Sequence, residues 1–493
     1  MTWSKKILNK IPLLMLIGTF IFLFVFFFKI HPLVFFDSDD WHYIAYNREA
    51  LPVWKVLNPA KVLPETFMPL MSDIGAYFLY PFTHDYVNSI TFMHAIVFSV
   101  AICIYLVNAK ITIDSLSSGK IKNTVLIAFF LLLHFSLYKT KVIDNDFVFA
   151  ARDLNCCYNY ILPGIWNATL VMFFMRNGCY IKKEGDTVQS SLLLILVYLG
   201  IFSNLFQSII LTAYLCSDLF FSLLSEIRKK TFQIRTYCKQ KATHFFILAL
   251  WAGAMIYEAN GGRASGAGSI QLIKTWQYFW ETYPIKLNKS SVIIVVFCII
   301  SAIIMLARLK KRGEKDNFFG DYIIRMLLAG IITGVFIFLL CSKVNPSYIT
   351  RNDVIFGAVF YFFISGLLSA AYIWGKVKYR ITFILPLLLY VFLMNNLMGY
   401  RIFRESIVNN VWAKNAISIN NYLIEQMVNA DETGASQLSL KVPKWDTGDN
   451  FPHADYMGSE ITVTLYKHGV ISRWIDVTIE PDESINQKYN LPY

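Results

Sequence analysis

Residues 11–28 read Ile11-Pro12-Leu13-Leu14-Met15-Leu16-Ile17-Gly18-Thr19-Phe20-Ile21-Phe22-Leu23-Phe24-Val25-Phe26-Phe27-Phe28, with no ionisable side chain until Lys29. At about 1.5 Å of rise per residue, such a helix reaches across most of a hydrocarbon core of about 30 Å. Lys5, Lys6 and Lys10 precede it. The apolar run is too long for the core of a secretory signal, and no small-x-small cleavage site follows. The stretch is therefore expected to be an uncleaved first membrane span.

The rest of the chain has the same character. Of 493 residues, 56% are hydrophobic and 16% charged, and the mean hydropathy is +0.48. Soluble domains are usually about 45–50% apolar and about a quarter charged. That difference excludes an ordinary soluble enzyme and fits a surface that faces lipid. The net charge of +12 does not indicate nucleic acid, because the basic residues sit in short loops between apolar runs, where they act as topology signals. Most of the eight cysteines lie in or beside apolar runs, and Cys156 and Cys157 are neighbours, a poor geometry for a bridge. No disulfide framework is expected.

Apolar runs long enough to count as spans lie at about 11–30, 86–108, 121–138, 160–175, 191–203, 205–224, 243–257, 291–308, 321–341, 355–374 and 381–400. The predicted fold is an all-α polytopic membrane protein of about eleven helices. With a cytoplasmic N-terminus, alternate loops carry Lys110, Lys120 and Lys122; Arg176, Lys182 and Lys183; Arg228 to Lys241; Arg308 to Lys315; and Lys376, Lys378 and Arg380. Each is basic, as inward loops should be. Reading 191–224 as one span would break the alternation. The C-terminus is then expected outside. Residues 1–400 form the membrane domain, and 401–493 form a small α+β domain near the lower size limit for independent folding. In that tail a helix is predicted over about 405–430, with Ile407, Val411, Trp412, Leu423 and Met427 on one face. Strands are predicted where Ile461, Val463 and Leu465 alternate with polar residues, and again over 474–480.

The outward loops hold the residues suited to chemistry. Phe36-Asp37-Ser38-Asp39-Asp40-Trp41 follows the first span directly. Three carboxylates this close repel one another. One could cap a helix, with Asp39 at the head of a segment from Asp40 to about Ala50. That accounts for one acid and not for three. Asp37, Asp39 and Asp40 are therefore candidate general bases, since crowding raises a carboxylate's pKa. A divalent cation is the alternative occupant; no other cofactor is indicated.

The second outward loop contains Asp144, Asp146, Arg152, Asp153 and Tyr158, alternating polar and aromatic groups that suit a sugar. The third has Glu258 and then Arg263 within a glycine-rich run that lacks the closing residues of a P-loop. The fourth carries Tyr348 and the cations Lys343 and Arg351, which could neutralise a departing phosphate. The chain has no metal-spaced histidines and no nucleotide fingerprint, so a transferase here would draw on a lipid-linked donor.

Asp37-Ser38-Asp39-Asp40 after the first span, a second acidic outer loop and basic residues in later outer loops resemble the GT-C superfamily of membrane glycosyltransferases. Length, odd span count and soluble tail are most similar to its Gtr-type serotype-converting O-antigen glucosyltransferases. The resemblance implies a bacterial inner-membrane enzyme with undecaprenyl-phosphate-glucose as donor and lipid-linked O-antigen as acceptor. It implies inversion at the anomeric carbon and periplasmic chemistry. Its specific motif covers only residues 37–40. The rivals are a lipid-linked oligosaccharide polymerase, which should have large Arg-rich outer loops, and a transporter or flippase for lipid-linked sugar, which should pair charges inside its spans.

Overall fold

The computed structural model describes residues 2–46, 58–116, 120–136, 147–151, 153–179, 187–228, 232–260, 268–286, 296, 299–300, 302–307, 317–375, 406–407, 411–444, 457–489 and 491. The chain is mostly helical, and six helices among those residues are long and apolar enough to cross a membrane. They are Ile11–Ile30, Tyr86–Ser115, Leu205–Arg228, Ala242–Ala259, Gly320–Val344 and Asn352–Ile373, accompanied by the shorter apolar Asn123–Phe135 and Thr187–Ile201. The described residues do not show all of the expected eleven. The span predicted at 381–400 lies outside the described residues, and that at 291–308 is described in part.

The chain begins with α1 (Thr2–Val25), which continues as a π-helical turn over Phe26–Ile30. Next come α2 (Ser38–Ala45), α3 (Val62–Ile74) and α4 (Tyr80–Thr83), the last two joined by a second π turn. Gly75 opens that turn because α5 (Tyr86–Leu116) passes against it: a Cβ there would sit 2.9 Å from Ile90 Cα and Ser89 O. After α6 (Lys120–Ser136), a single helical run forms α7 (Leu154–Cys156), a π turn over Cys157–Ile161 and α8 (Leu162–Asn177). The helices α9 (Thr187–Ile201) and α10 (Leu205–Arg228) are separate, as the loop charges required. They part at Asn204, whose Oδ1 accepts from Phe206 N at 2.9 Å. The short α11 (Ile234–Gln240) leads into α12 (Ala242–Ala259); α13 (Leu272–Lys286), α14 (Asn317–Val344) and α15 (Asn352–Gly375) follow.

Hydrogen bonds sort the loops into two ends, as alternating crossings should. At the end holding Asp37–Asp40, Lys61 N donates to Phe202 O, Tyr257 Oη to Asn58 Oδ1, Asn204 Nδ2 to Asn159 O, Gln207 Nε2 to Asp353 O and Tyr283 Oη to Ile349 O. At the opposite end Arg176 reaches Asn108 and Thr112, Asn123 reaches Asp114, and Tyr322 Oη donates to Met175 O.

The tail departs from expectation at two places. Ile407 and Val411-Trp412 are not on a helix; they lie in the short antiparallel strands β1 (Ser406–Ile407) and β2 (Val411–Trp412). The helix α16 (Ala413–Glu432) starts after them and buries Leu423 and Met427, as its period requires. The segment around Ile461 is not a strand but α17 (Met457–Lys467). Met457, Ile461 and Leu465, four residues apart, are fully buried, so the helical period outweighed the local alternation. The predicted strand over 474–480 is found as β4 (Asp476–Asp482), parallel to β3 (Gln437–Pro443) with Leu440 opposite Ile479. Parallel partners need a crossover, and α17 supplies it. Gly458 lets α17 lie on β4, since a Cβ there would meet Val477 O at 2.7 Å. The helix α18 (Glu483–Tyr489) closes the chain.

The spans also hold more charge than expected. Asp218 on α10 is buried at the opposite end of the bundle from Asp37–Asp40, paired with Lys241, His244 and Arg325 from other elements.

Candidate functional site

The short helix after the first span begins earlier than expected, and its cap is Asp37 rather than Asp39. Asp37 has extended backbone at φ −70°, ψ 156°, and its Oδ1 accepts from Asp39 N at 2.9 Å. Three residues on, Asp40 reaches back, and its Oδ2 accepts from Phe36 N at 3.0 Å and from Asp37 N at 3.4 Å. This reciprocal capping box satisfies N–H groups that a helix start leaves without intrahelical partners. The ring of Trp41 seats the helix edge-on against Phe35, with centroids 4.8 Å apart.

Asp40 does more than cap its own helix. Its Oδ1 accepts from Asn155 N at 2.6 Å and its Oδ2 from Leu154 N at 3.4 Å. One fully buried carboxylate thus joins the first turns of α2 and α7, whose partial positive charge favours it. Burial, followed by the charges of Asp153 and Asp37, pushes the Asp40 carboxyl well above the usual carboxylate range; the Asn155 and Phe36 N–H groups pull it back in part. With both oxygens engaged by backbone, Asp40 is a holding residue. Asp37 is likewise engaged and buried. Asp39 differs: it is half-buried, and among the described residues no hydrogen bond or ion pair reaches its carboxylate.

The second outward loop meets this helix through Leu154 N and Asn155 N, just after Asp153. Asp153 caps α7 by accepting from Cys156 N at 2.5 Å. Burial raises its pKa, against the opposing hydrogen bonds from Cys156 and the charge of Arg351.

Arg351 brings in the fourth outward loop. It follows a 3-10 turn over Pro346–Thr350 that Asn345 caps through Ser347 N. Its Nε and Nη2 fork onto Asp353 at 3.1 and 2.5 Å, and Nη2 also reaches Cys156 Sγ at 3.1 Å. The guanidinium lies over Tyr160 and Tyr348, 4.7 and 4.9 Å from their ring centroids. Arg351 is therefore not the free cation expected from sequence, because Asp353 balances its charge. Among the described residues Nη1 has no partner and remains available to an incoming acceptor.

The structure thus gathers Asp37, Asp39, Asp40, Asp153, Tyr348 and Arg351 around three helix starts. Other expected residues lie elsewhere. Tyr158 is fully buried, with its hydroxyl 2.8 Å from His94 Nδ1, so it is a core residue rather than a sugar platform. Lys343 donates to Gly268 O at 2.9 Å on an exposed surface. Glu258 sits at the end of α12, outside the hydrogen bonds that join the acidic segment to α7. Asp144, Asp146, Arg152 and Arg263 lie outside the described residues. No three His, Cys, Asp or Glu side chains among the described residues converge to hold a metal ion.

Sequence reasoning missed Asp353, although Arg-Asn-Asp at a span's start is a readable ion-pair signal. A tail too small to fold readily by itself is expected to lean on the membrane domain, and the structure shows where it does so. His42 Nδ1 lies 2.8 Å from Glu460 Oε2, Thr464 Oγ1 donates to Trp41 O at 2.6 Å, and Lys467 Nζ reaches Ala45 O at 3.1 Å. His42 therefore faces Glu460 on α17 of the tail. No protein-family model, curated protein or solved structure matches the chain.

Proposed function

We propose that this chain is an inverting membrane glycosyltransferase that moves a sugar, glucose by its resemblance, from undecaprenyl phosphate to lipid-linked O-antigen or a related surface glycan. On this reading the acidic end of the bundle faces the periplasm. The observation that carries the proposal is the split among three clustered acids. Two are engaged by backbone N–H groups, and they hold the third, Asp39, on a rigid helix start with its carboxylate unpartnered. Preorganised side chains on fixed elements are what acid–base chemistry requires.

Asp39 takes the proton of the acceptor hydroxyl as that oxygen forms its bond to the anomeric carbon. The bond from the anomeric carbon to the phosphate oxygen breaks, and the polyprenyl phosphate leaves with the electron pair. Arg351, held between Tyr160 and Tyr348, offers Nη1 to the growing phosphate charge. Asp40 keeps the two acidic loops together by accepting from Leu154 N and Asn155 N, and Asp153 caps the second of them. The test is Asp39→Asn in membranes supplied with polyprenyl-phosphate sugar: transfer is lost while the amount of inserted protein is unchanged. Retained transfer would remove Asp39 as the base.

The transporter reading gains one observation, the buried Asp218 cluster. Its depth weighs against a substrate path at the bilayer centre: Asp218 lies about 20 Å along α10 from Leu205 at about 1.5 Å per residue, well past the middle of a core of about 30 Å. The polymerase reading gains none.

A further inference from the structure

The Asp218 cluster has no part in the proposed sugar transfer. Lys241 Nζ and His244 Nε2 meet Asp218 Oδ2 at 2.6 and 2.8 Å, and Arg325 Nη1 meets Oδ1 at 2.7 Å. These groups come from α10, the α11–α12 junction, α12 and α14. Asp218 is 7% exposed and His244 3%. Within the cluster one carboxylate faces two permanent cations and an imidazole. It is over-supplied with positive charge and with donors, an arrangement that is unfavourable in a low-dielectric setting unless an anion completes it.

Two nitrogens show the same shortfall. Among the described residues, Arg325 Nε and His244 Nδ1 are buried and have no hydrogen-bond partner. The polar neighbours do not make good the deficit. The hydroxyl of Tyr237 is donated to Leu219 O and that of Tyr322 to Met175 O. Cys179 and Tyr214 also face the cluster, and neither brings an ordinary anionic group. Asp321, one turn before Arg325, is exposed. Lys241 and Arg325 keep about a fifth of their side-chain surface, so a ligand can reach them from outside the bundle. The missing partner is an anion rich in acceptor oxygens.

We propose that Lys241, His244 and Arg325 bind a phosphate group, that of an anionic phospholipid in the leaflet at this end of the bundle, with Asp218 as the hub that keeps the three cations in register. A phosphate oxygen pair matches the arginine fork, and the lysine adds a compact charge. Basic pockets between spans near a membrane surface are where anionic head groups dock. The inference stands apart from sugar transfer and survives if that reading fails.

The test uses the full chain purified in a neutral detergent. Thermal unfolding and native mass spectrometry are followed with phosphatidylglycerol, with phosphatidylcholine and with inorganic phosphate alone. Phosphatidylglycerol is expected to stabilise the wild type and to be retained as a bound lipid, whereas phosphatidylcholine is not. The double variant Lys241→Gln/Arg325→Gln should bind phosphatidylglycerol at least tenfold more weakly. The control Arg235→Gln/Lys239→Gln, exposed on α11, should bind as the wild type does. If inorganic phosphate stabilises as strongly as the lipid, the phosphate site stands and its source is soluble. Equal retention of the two lipids by the wild type overturns the proposal. So does equal weakening by the cluster and control variants, which would mark general surface charge. The comparison of the two lipids on the wild type does not depend on a variant folding.

Discussion

Replacing Asp39 by asparagine removes one charge and leaves the local packing in place, whereas the same change at Asp40 disturbs a joint. Asp40 accepts four backbone N–H groups, three on Oδ2 and one on Oδ1. An asparagine amide has one acceptor oxygen. With that oxygen turned toward the Oδ2 group, its NH2 faces Asn155 N–H, and a buried donor is orphaned. An orphaned buried donor costs about 1–3 kcal/mol. Relief of the repulsion from Asp37 and Asp153 offsets part of this. Asp39→Asn orphans nothing among the described residues, so its effect on stability should stay within about 0.5 kcal/mol. Its effect on catalysis should be large, because loss of a general base costs about 100- to 10,000-fold. The assay pairs a detergent-solubilised thermal melt with initial rates of sugar transfer for each variant. Asp39→Asn should melt with the wild type and be nearly inactive; Asp40→Asn should melt lower. The reasoning is falsified if Asp39→Asn transfers sugar at the wild-type rate, or if it lowers the melt as much as Asp40→Asn does.

Other outcomes follow from the same geometry. Because Asp40 has a raised folded-state pKa, its stabilising contribution is complete below the unfolded value of about 3.9 and is lost as pH rises through the folded value. The wild-type melting temperature should therefore fall over that window more steeply than that of Asp40→Asn, and parallel curves would contradict the assignment. Arg351→Ala leaves Asp353 buried without its fork and should lower stability by about 3–5 kcal/mol, read by chemical denaturation. Arg351→Lys should fold better than Arg351→Ala but transfer sugar more slowly than the wild type, because a single ammonium cannot keep the fork and also serve the phosphate. Gly75→Ala drives a methyl into the backbone of α5 and should cost about 1–3 kcal/mol; an unchanged melt would show that α3 and α5 can move apart.

The membrane class was legible because continuous apolar runs bounded by charge report burial in lipid without any tertiary information. The break between α9 and α10 was legible for a different reason, the sign of the loops on either side. Short amphipathic segments were harder. In 457–467 the apolar residues fit a period of two and a period of four, and the choice was made by packing on the nearby β4 and on α2, which lies far off in sequence. The cap at Asp37 was ambiguous because Asp37 and Asp39 are both good caps; the spacing from Asp37 to Asp40, which permits a capping box, was the usable signal. Tyr158 read as a sugar contact because loop aromatics and core aromatics look alike until a partner such as His94 is seen. The Asp218 cluster went unread because Asp218 and Arg325 sit on separate helices more than a hundred residues apart, so no local window shows the pair.

The central claim, sugar transfer at the acidic end, is met most directly by incubating membranes that contain the chain with radiolabelled polyprenyl-phosphate glucose and a lipid-linked glycan acceptor. The account predicts label in the glycan with the wild type and none with Asp39→Asn at equal protein levels. Label that crosses the membrane yet stays on the polyprenyl phosphate, equally with both proteins, would contradict it.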